Sequence, residues 1–295
     1  MKLKILSVAL LISAGLAGCD LPSLSPQAKS ATPAGWVSLP ALPVIEDAVM
    51  SLSPTFQGKR TQQFMSQICG MARGQLNQVQ VNAALASMGI DSARLPRQSQ
   101  DATALLVNGD RAAQATACAA YQATDVLMAA NPKDFLKAAP ATAEKAADNA
   151  PVAQQLDNDG LTRVLPIKIA QARANADVFA LIAQDLQRKP GLSVAEYSER
   201  ARVLFGRLAP TYLARVPAKL PPVNTSYQLI GLGDNRLEFS TNIGLHYDFS
   251  AGRGLTLTQN GVLWYGKGQL LGQDYRLKAA YFQPEVAELM GASKQ

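Results

Sequence analysis

The sequence predicts an α+β protein, with an N-terminal α-helical bundle followed by a C-terminal antiparallel β-meander. Three observations carry this expectation. Between residues 44 and 215, apolar side chains recur at helical spacing between stop signals such as Gly89 and Pro190-Gly191. The stretch 101–150 carries 18 alanines, the best helix-forming residue. At "VPAKLPPVN", residues 216–224, the period changes to short alternating runs, and Asn260-Gly261 supplies the left-handed dihedrals of a tight hairpin.

The helices follow in order. A short one is expected over Val44–Leu52, ending before Pro54. Helices over Lys59–Arg73 and Leu76–Met88 follow, the second stopped by Gly89, with a short helix around Asp101–Val107. Asp110 caps a helix over Arg111–Ala130, which Asn131-Pro132 ends. Pro140 and Pro151 interrupt the next stretch, so a low-complexity spacer competes with helix over 138–155. A long helix spans Leu161–Arg188, with Pro166 expected near its first turn, where proline is tolerated. Ser193-Val194-Ala195-Glu196 reads as a capping box opening a last helix to Leu208, resuming over Thr211–Arg215.

Strands are expected over Tyr227–Gly231, Leu237–Thr241, Gly244–Phe249, Leu255–Thr258 and Val262–Tyr265. Gln269–Tyr281 supplies one or two more, and Pro284–Met290 a final helical turn in the tail 284–295. Leu237/Phe239 and Leu255/Leu257 alternate with polar residues, as in a half-buried sheet closing on the bundle or on itself.

The N-terminus has a different character. Met1-Lys2-Leu3-Lys4 is basic, Ile5–Ala14 is almost wholly apolar, and small residues follow. This is the layout of a secretory signal, expected over 1–18, and the run is too short for a transmembrane helix. Leu16-Ala17-Gly18-Cys19 resembles the lipobox of bacterial lipoproteins. That resemblance implies cleavage before Cys19, a diacylglycerol on its sulfur and a further acyl chain such as palmitate on its new amino group. Two or three chains give essentially permanent attachment, where one myristoyl chain binds only marginally. Asp20 is similar to the enterobacterial signal that avoids export to the outer membrane. It implies the periplasmic face of the inner membrane, favoured over the outer. Residues 19–43 then form a tether, with Pro22, Pro26, Pro33, Pro40 and Pro43 among small residues.

Composition narrows the partners. The chain of 295 residues has a formal charge of +6, and loss of Lys2 and Lys4 with the signal leaves +4. No basic run with interleaved aromatics points to nucleic acid. With Cys19 acylated, only Cys69 and Cys118 remain, and an oxidising periplasm favours one disulfide between them; the alternative is two buried thiols. A metal site is not expected, because only His246 could assist the cysteines.

Catalytic signatures are weak throughout. Gly261-Val-Leu-Trp-Tyr-Gly266-Lys267-Gly268 nearly fits a phosphate-binding loop. It lacks the hydroxyl at 268 and any following helix, so no nucleotide is expected. Gly231-Leu232-Gly233 reads as a turn. A Ser–His–Asp triad would need His246, whose context reads as strand. Glu196 and Glu199 share a helix face but lie beside Arg200 and Arg202, as in a solvated ion-paired surface. Asp157-Asn158-Asp159-Gly160 loosely resembles a calcium loop, yet its twelfth position is Lys168 rather than Glu, so a helix cap is expected.

The expected class is therefore a membrane-anchored, non-enzymatic binding protein of the cell envelope, of an assembly, protection or immunity/exclusion type. It would use no cofactor, reach the membrane through its acyl chains, and meet another envelope or incoming protein. Two alternatives stand beside it. One is a carrier of an apolar ligand in a β pocket lined by Leu229, Phe239 and Leu257. The other is an envelope hydrolase with an unrecognised site.

Overall fold

The computed structural model describes residues 41–98, 101–127, 131–139, 153–218, 225–244, 246–250, 254–259 and 262–265. Residues 1–40, with Cys19 and Asp20, lie outside this set, as do the strands expected over Gln269–Tyr281 and the tail. The architecture is α+β: helices occupy the N-terminal part and antiparallel strands the C-terminal part.

Six α-helices lie among the described residues: α1 (Ala41–Leu52), α2 (Gln62–Ala72), α3 (Gln78–Ser87), α4 (Arg111–Asp125), α5 (Asn158–Gln187) and α6 (Val194–Arg215). Helix α1 starts three residues ahead of the expected position, because Pro43 falls in its first turn, where no amide is needed. Helix α2 starts later than expected, since Phe56 and Lys59 close a small backbone bridge first. Helix α3 opens on a capping box: Gln80 N–H donates to Asn77 Oδ1, and Asn77 N–H donates to Gln80 Oε1. Gly89, at φ 76°, ends it in the left-handed region that favours glycine. Asp110 caps α4 by accepting from Ala113 N–H, and Ser193 with Glu196 forms the expected capping box of α6.

Two prolines behave differently from the sequence expectation. Pro166 lies nine residues into α5 rather than in its first turn, and α6 runs unbroken through Pro210 instead of pausing at Leu208. A proline removes one helical amide and crowds the carbonyl four residues back. Flanking residues Leu165, Ala209, Tyr212 and Leu213 are buried, so tertiary packing holds the helical path across both breaks.

Helices α1, α4, α5 and α6 surround the main core, which contains Ile45, Val49, Phe179, Ile182, Tyr197, Phe205 and Tyr212. Alanines 119, 120, 123, 174, 183, 201 and 209 line the same core, and their small side chains allow close helix approach. A second core gathers Phe56, Met65, Ile68, Val81, Leu85 and Leu106 between α2, α3, α4 and a 3-10 turn over Ala102–Leu106. The disulfide joins the two regions: Cys69 on α2 is bonded to Cys118 on α4, with Cα atoms 5.1 Å apart.

The β-region forms two sheets. Strands β1 (Leu136–Ala138) and β2 (Gln154–Leu156) pair antiparallel inside the region expected to be helical throughout, at the ends of the stretch 138–155 where a spacer competed with helix, because Pro140 and Pro151 interrupt the helical pattern. The second is a five-stranded antiparallel meander in sequence order: β3 (Tyr227–Gly233), β4 (Arg236–Thr241), β5 (His246–Ser250), β6 (Gly254–Gln259) and β7 (Val262–Tyr265). Along β4, Leu237, Phe239 and Thr241 are buried while Arg236, Glu238 and Ser240 alternate outward, the half-buried pattern expected. Phe239 stacks on Tyr247 at 4.8 Å, and both pack with Leu161 and Leu165. At 30 residues, α5 is about 45 Å long. Its first turns therefore cover the sheet while its remainder builds the helical core.

Candidate functional site

A polar cleft opens beside the disulfide. Gln62, Ser66, Cys69 and Arg73 recur at helical spacing along α2 and its C-cap, and so present one face. Tyr121, Gln122 and Asp125 come from α4, Ile167 and Gln171 from α5, and Pro217 from the segment after α6. The enclosed space is about 410 Å³.

Its electrostatics are unbalanced. The Arg73 guanidinium is half-buried and donates to Val216 O at 2.6 Å. No carboxylate pairs with it among the described residues, and burial pushes its pKa below the ordinary arginine value. Asp125 also lines the space, but Lys168 Nζ lies 2.9 Å from its carboxylate. Oε1 of Gln122 and Oε1 of Gln171 are buried and accept no hydrogen bond among the described residues. Gln171 is only 5% exposed, so the missing donor cannot be bulk water over most of its surface. Outside the cleft lining, in the main core, the hydroxyl of Tyr212 is buried without a partner among the described residues, and burial, then the Asp125 charge, raises its pKa well above the ordinary value.

One wall is stiffened from outside the cleft. Arg60 donates to Thr124 Oγ1 at 2.6 Å, Ser53 Oγ at 2.9 Å and Tyr121 O at 2.9 Å, with its guanidinium carbon 4.1 Å from the Tyr121 ring centre. Tyr121 Oη then donates to Gln62 Oε1 at 2.8 Å. Chemically, the cleft offers the Arg73 cation and the unpartnered amide oxygens of Gln122 and Gln171, beside the amides of Gln62 and Gln75. Its hydroxyl residue Ser66 donates to Gln63 O, and no base is hydrogen-bonded to it among the described residues. Such a set can hold a ligand.

The residues singled out from sequence lie elsewhere. His246 sits on the outward face of β5, with Nε2 3.0 Å from Glu238 Oε1. Glu238 also pairs with Arg236 at 3.0 Å, and Arg236 with Asp248 at 2.8 Å. These four form a polar ladder across β4 and β5, in which Arg236 is shared by Glu238 and Asp248 and the His246 ring nitrogen contacts Glu238. Glu196 closes the α6 capping box, and Glu199 pairs with Arg202 at 2.9 Å, so the two glutamates do different structural work. Asp157 occupies the N-cap position of α5. Lys137 lies 3.5 Å from it and 3.7 Å from Asp159, so one ammonium is shared by the two acids of the calcium-loop resemblance. Among the described residues no three His, Cys, Asp or Glu side chains gather as a metal site.

Val262–Tyr265, inside the near-match to a phosphate loop, forms strand β7 paired with β6. Gly231-Leu232-Gly233 lies within β3 rather than in a turn, because Leu232 pairs with Leu237 and the strand continues to Gly233. Of the residues named for a lipid pocket, Phe239 is packed solid against Tyr247, Leu229 is partly exposed, and the side chain of Leu257 lies outside the described set.

Comparison with known protein families, curated proteins and solved structures finds no match to this chain.

The cleft was not anticipated from the sequence. Its only trace there is polar residues placed at i, i+4 and i, i+3 on otherwise apolar helices, notably Gln171 four residues after Ile167. That pattern also describes an ordinary solvated face, and only the approach of α2, α4 and α5 separates the two.

Proposed function

We propose that this chain is a lipid-anchored binding protein of the bacterial cell envelope, acting without catalysis on a protein partner. The observation that carries the reading is the cysteine pattern. Pairing of Cys69 with Cys118 leaves Cys19 as the one remaining cysteine, inside Leu16-Ala17-Gly18-Cys19. A disulfide suits an oxidising compartment, and the leading apolar segment suits export to one. Among the described residues no helix is long and apolar enough to cross a membrane, so attachment would rest on Cys19. Asp20 favours retention at the inner membrane.

The partner-facing surface is proposed on β3. This edge strand exposes Leu229, Ile230 and Leu232 in sequence, interrupted by a register shift between Leu229 and Gly231. Contiguous exposed apolar residues on an edge strand favour an interaction surface.

Two experiments test the parts separately. The full chain and Cys19→Ser are expressed with labelled palmitate, and the N-terminus is analysed by mass spectrometry. Label on a mature N-terminal Cys19, lost in the variant, is expected; an unprocessed or unacylated chain refutes the anchor. A photo-crosslinker at Ile230, with Arg94 as the exposed control, is expected to trap one envelope protein from position 230 alone. Equal trapping at both positions, or none, refutes the surface.

A further inference from the structure

We infer that the cleft between α2, α4 and α5 binds the free carboxyl end of a short peptide. The inference is independent of the anchor, because the cleft lies wholly within described residues of the helical region. Three features set the ligand chemistry. Arg73 has five N–H donors in a planar fork, and the structure gives one of them to Val216 O. Arg73 lines the cleft and has no carboxylate partner among the described residues, and a planar carboxylate matches such a fork with two parallel hydrogen bonds. Gln122 Oε1 and Gln171 Oε1 are buried acceptors in need of N–H donors, which a peptide's backbone amides supply. Met65, Cys69, Ile167 and Pro217 add apolar wall for small side chains.

Size and charge agree. About 410 Å³ lies within the range of roughly 300–1,000 Å³ typical of small-ligand sites. Asp125 is neutralised by Lys168, leaving Arg73 as the unanswered charge. A single unanswered positive charge suits a monoanion better than a dianion such as phosphate. A molecule that combines one carboxylate, adjacent amide N–H groups and small side chains is the end of a peptide.

The test titrates the full chain, in mild detergent, by calorimetry with four probes. These are N-acetyl-Ala-Ala with a free carboxyl, the same dipeptide as its C-terminal amide, free alanine, and inorganic phosphate. The free acid is expected to bind one to one, and the amide about tenfold more weakly or worse, because the charged hydrogen bonds to Arg73 are lost. Arg73→Gln is expected to weaken the free acid by about tenfold or more. Should that variant fail to fold through loss of the Val216 contact, Gln171→Met carries the test. It keeps length and apolar volume but removes an unpaired acceptor, so melting temperature should hold or rise while binding falls by about threefold or more. Equal binding of acid and amide, equal binding of phosphate or free alanine, no binding of the acid, or folded variants that bind as the parent does would each overturn the inference.

Discussion

Replacing Cys69 and Cys118 together by alanine opens a loop of sequence separation 49. In the chain-entropy treatment, closing a loop of about that length restricts the unfolded chain by about 4 kcal/mol at 25 °C. The native state contributes little in the opposite sense: Cys118 is fully buried and alanine fills most of its site, in a core already rich in alanine. The expected loss is thus about 4 kcal/mol, a fall in melting temperature of about 8–16 °C for a chain of this size class. Guanidinium unfolding followed by circular dichroism measures it, with oxidised parent, reduced parent and the double variant side by side. The reduced parent changes no side-chain volume, so it isolates the cross-link from the packing. Both uncross-linked proteins should also unfold with a steeper denaturant slope, because their unfolded chains expose more surface. If both stay within about 1 kcal/mol of the oxidised parent, the loop between the cysteines is already ordered when unfolded, and the entropy argument fails.

Three further outcomes are expected. Gly70→Ala places a Cβ 2.7 Å from Leu76 Cγ, so the Leu76 side chain must move from its packed position, at a cost of about 1–3 kcal/mol by thermal or chemical denaturation. Arg60→Lys keeps the charge but cannot reach Ser53, Thr124 and Tyr121 together, and should cost about 1–3 kcal/mol in the same assay; an unchanged midpoint would show the three contacts to be incidental. Hydrogen bonds from the Ser193 backbone and side chain hold the Glu196 carboxyl below its ordinary value of 4.5. A depressed folded-state value stabilises above the unfolded value and is lost as pH falls through the folded one. The parent should therefore lose more stability on acidification below pH 4.5 than Glu196→Gln, and parallel pH profiles would contradict this.

Much of the fold was legible because its signals are local. Asp110 and the Ser193–Glu196 box act within one turn, Gly89 answers a single backbone dihedral, and the alternation along Leu237–Thr241 reports one buried face. The prolines show where local rules stop. Pro166 and Pro210 lie inside helices whose continuity depends on burial of their neighbours, and burial is a property of other segments. The pairing of Leu136–Ala138 with Gln154–Leu156 was hidden for the same reason, since each strand is three residues long and neither carries a period of its own.

The candidate site divides the same way. The sequence by itself determined the helical and β halves, the caps, the pairing candidates Cys69 and Cys118, and the absence of recognisable catalytic motifs, because each depends on residue type and near-neighbour spacing. The tertiary structure alone decided that Arg73 from α2, Gln122 from α4 and Gln171 from α5 share one cleft. It also decided that His246 spends its ring nitrogen on Glu238. Both depend on distances between residues far apart in the chain. Whether a polar group has a partner is fixed by packing, and no spacing along the chain encodes it.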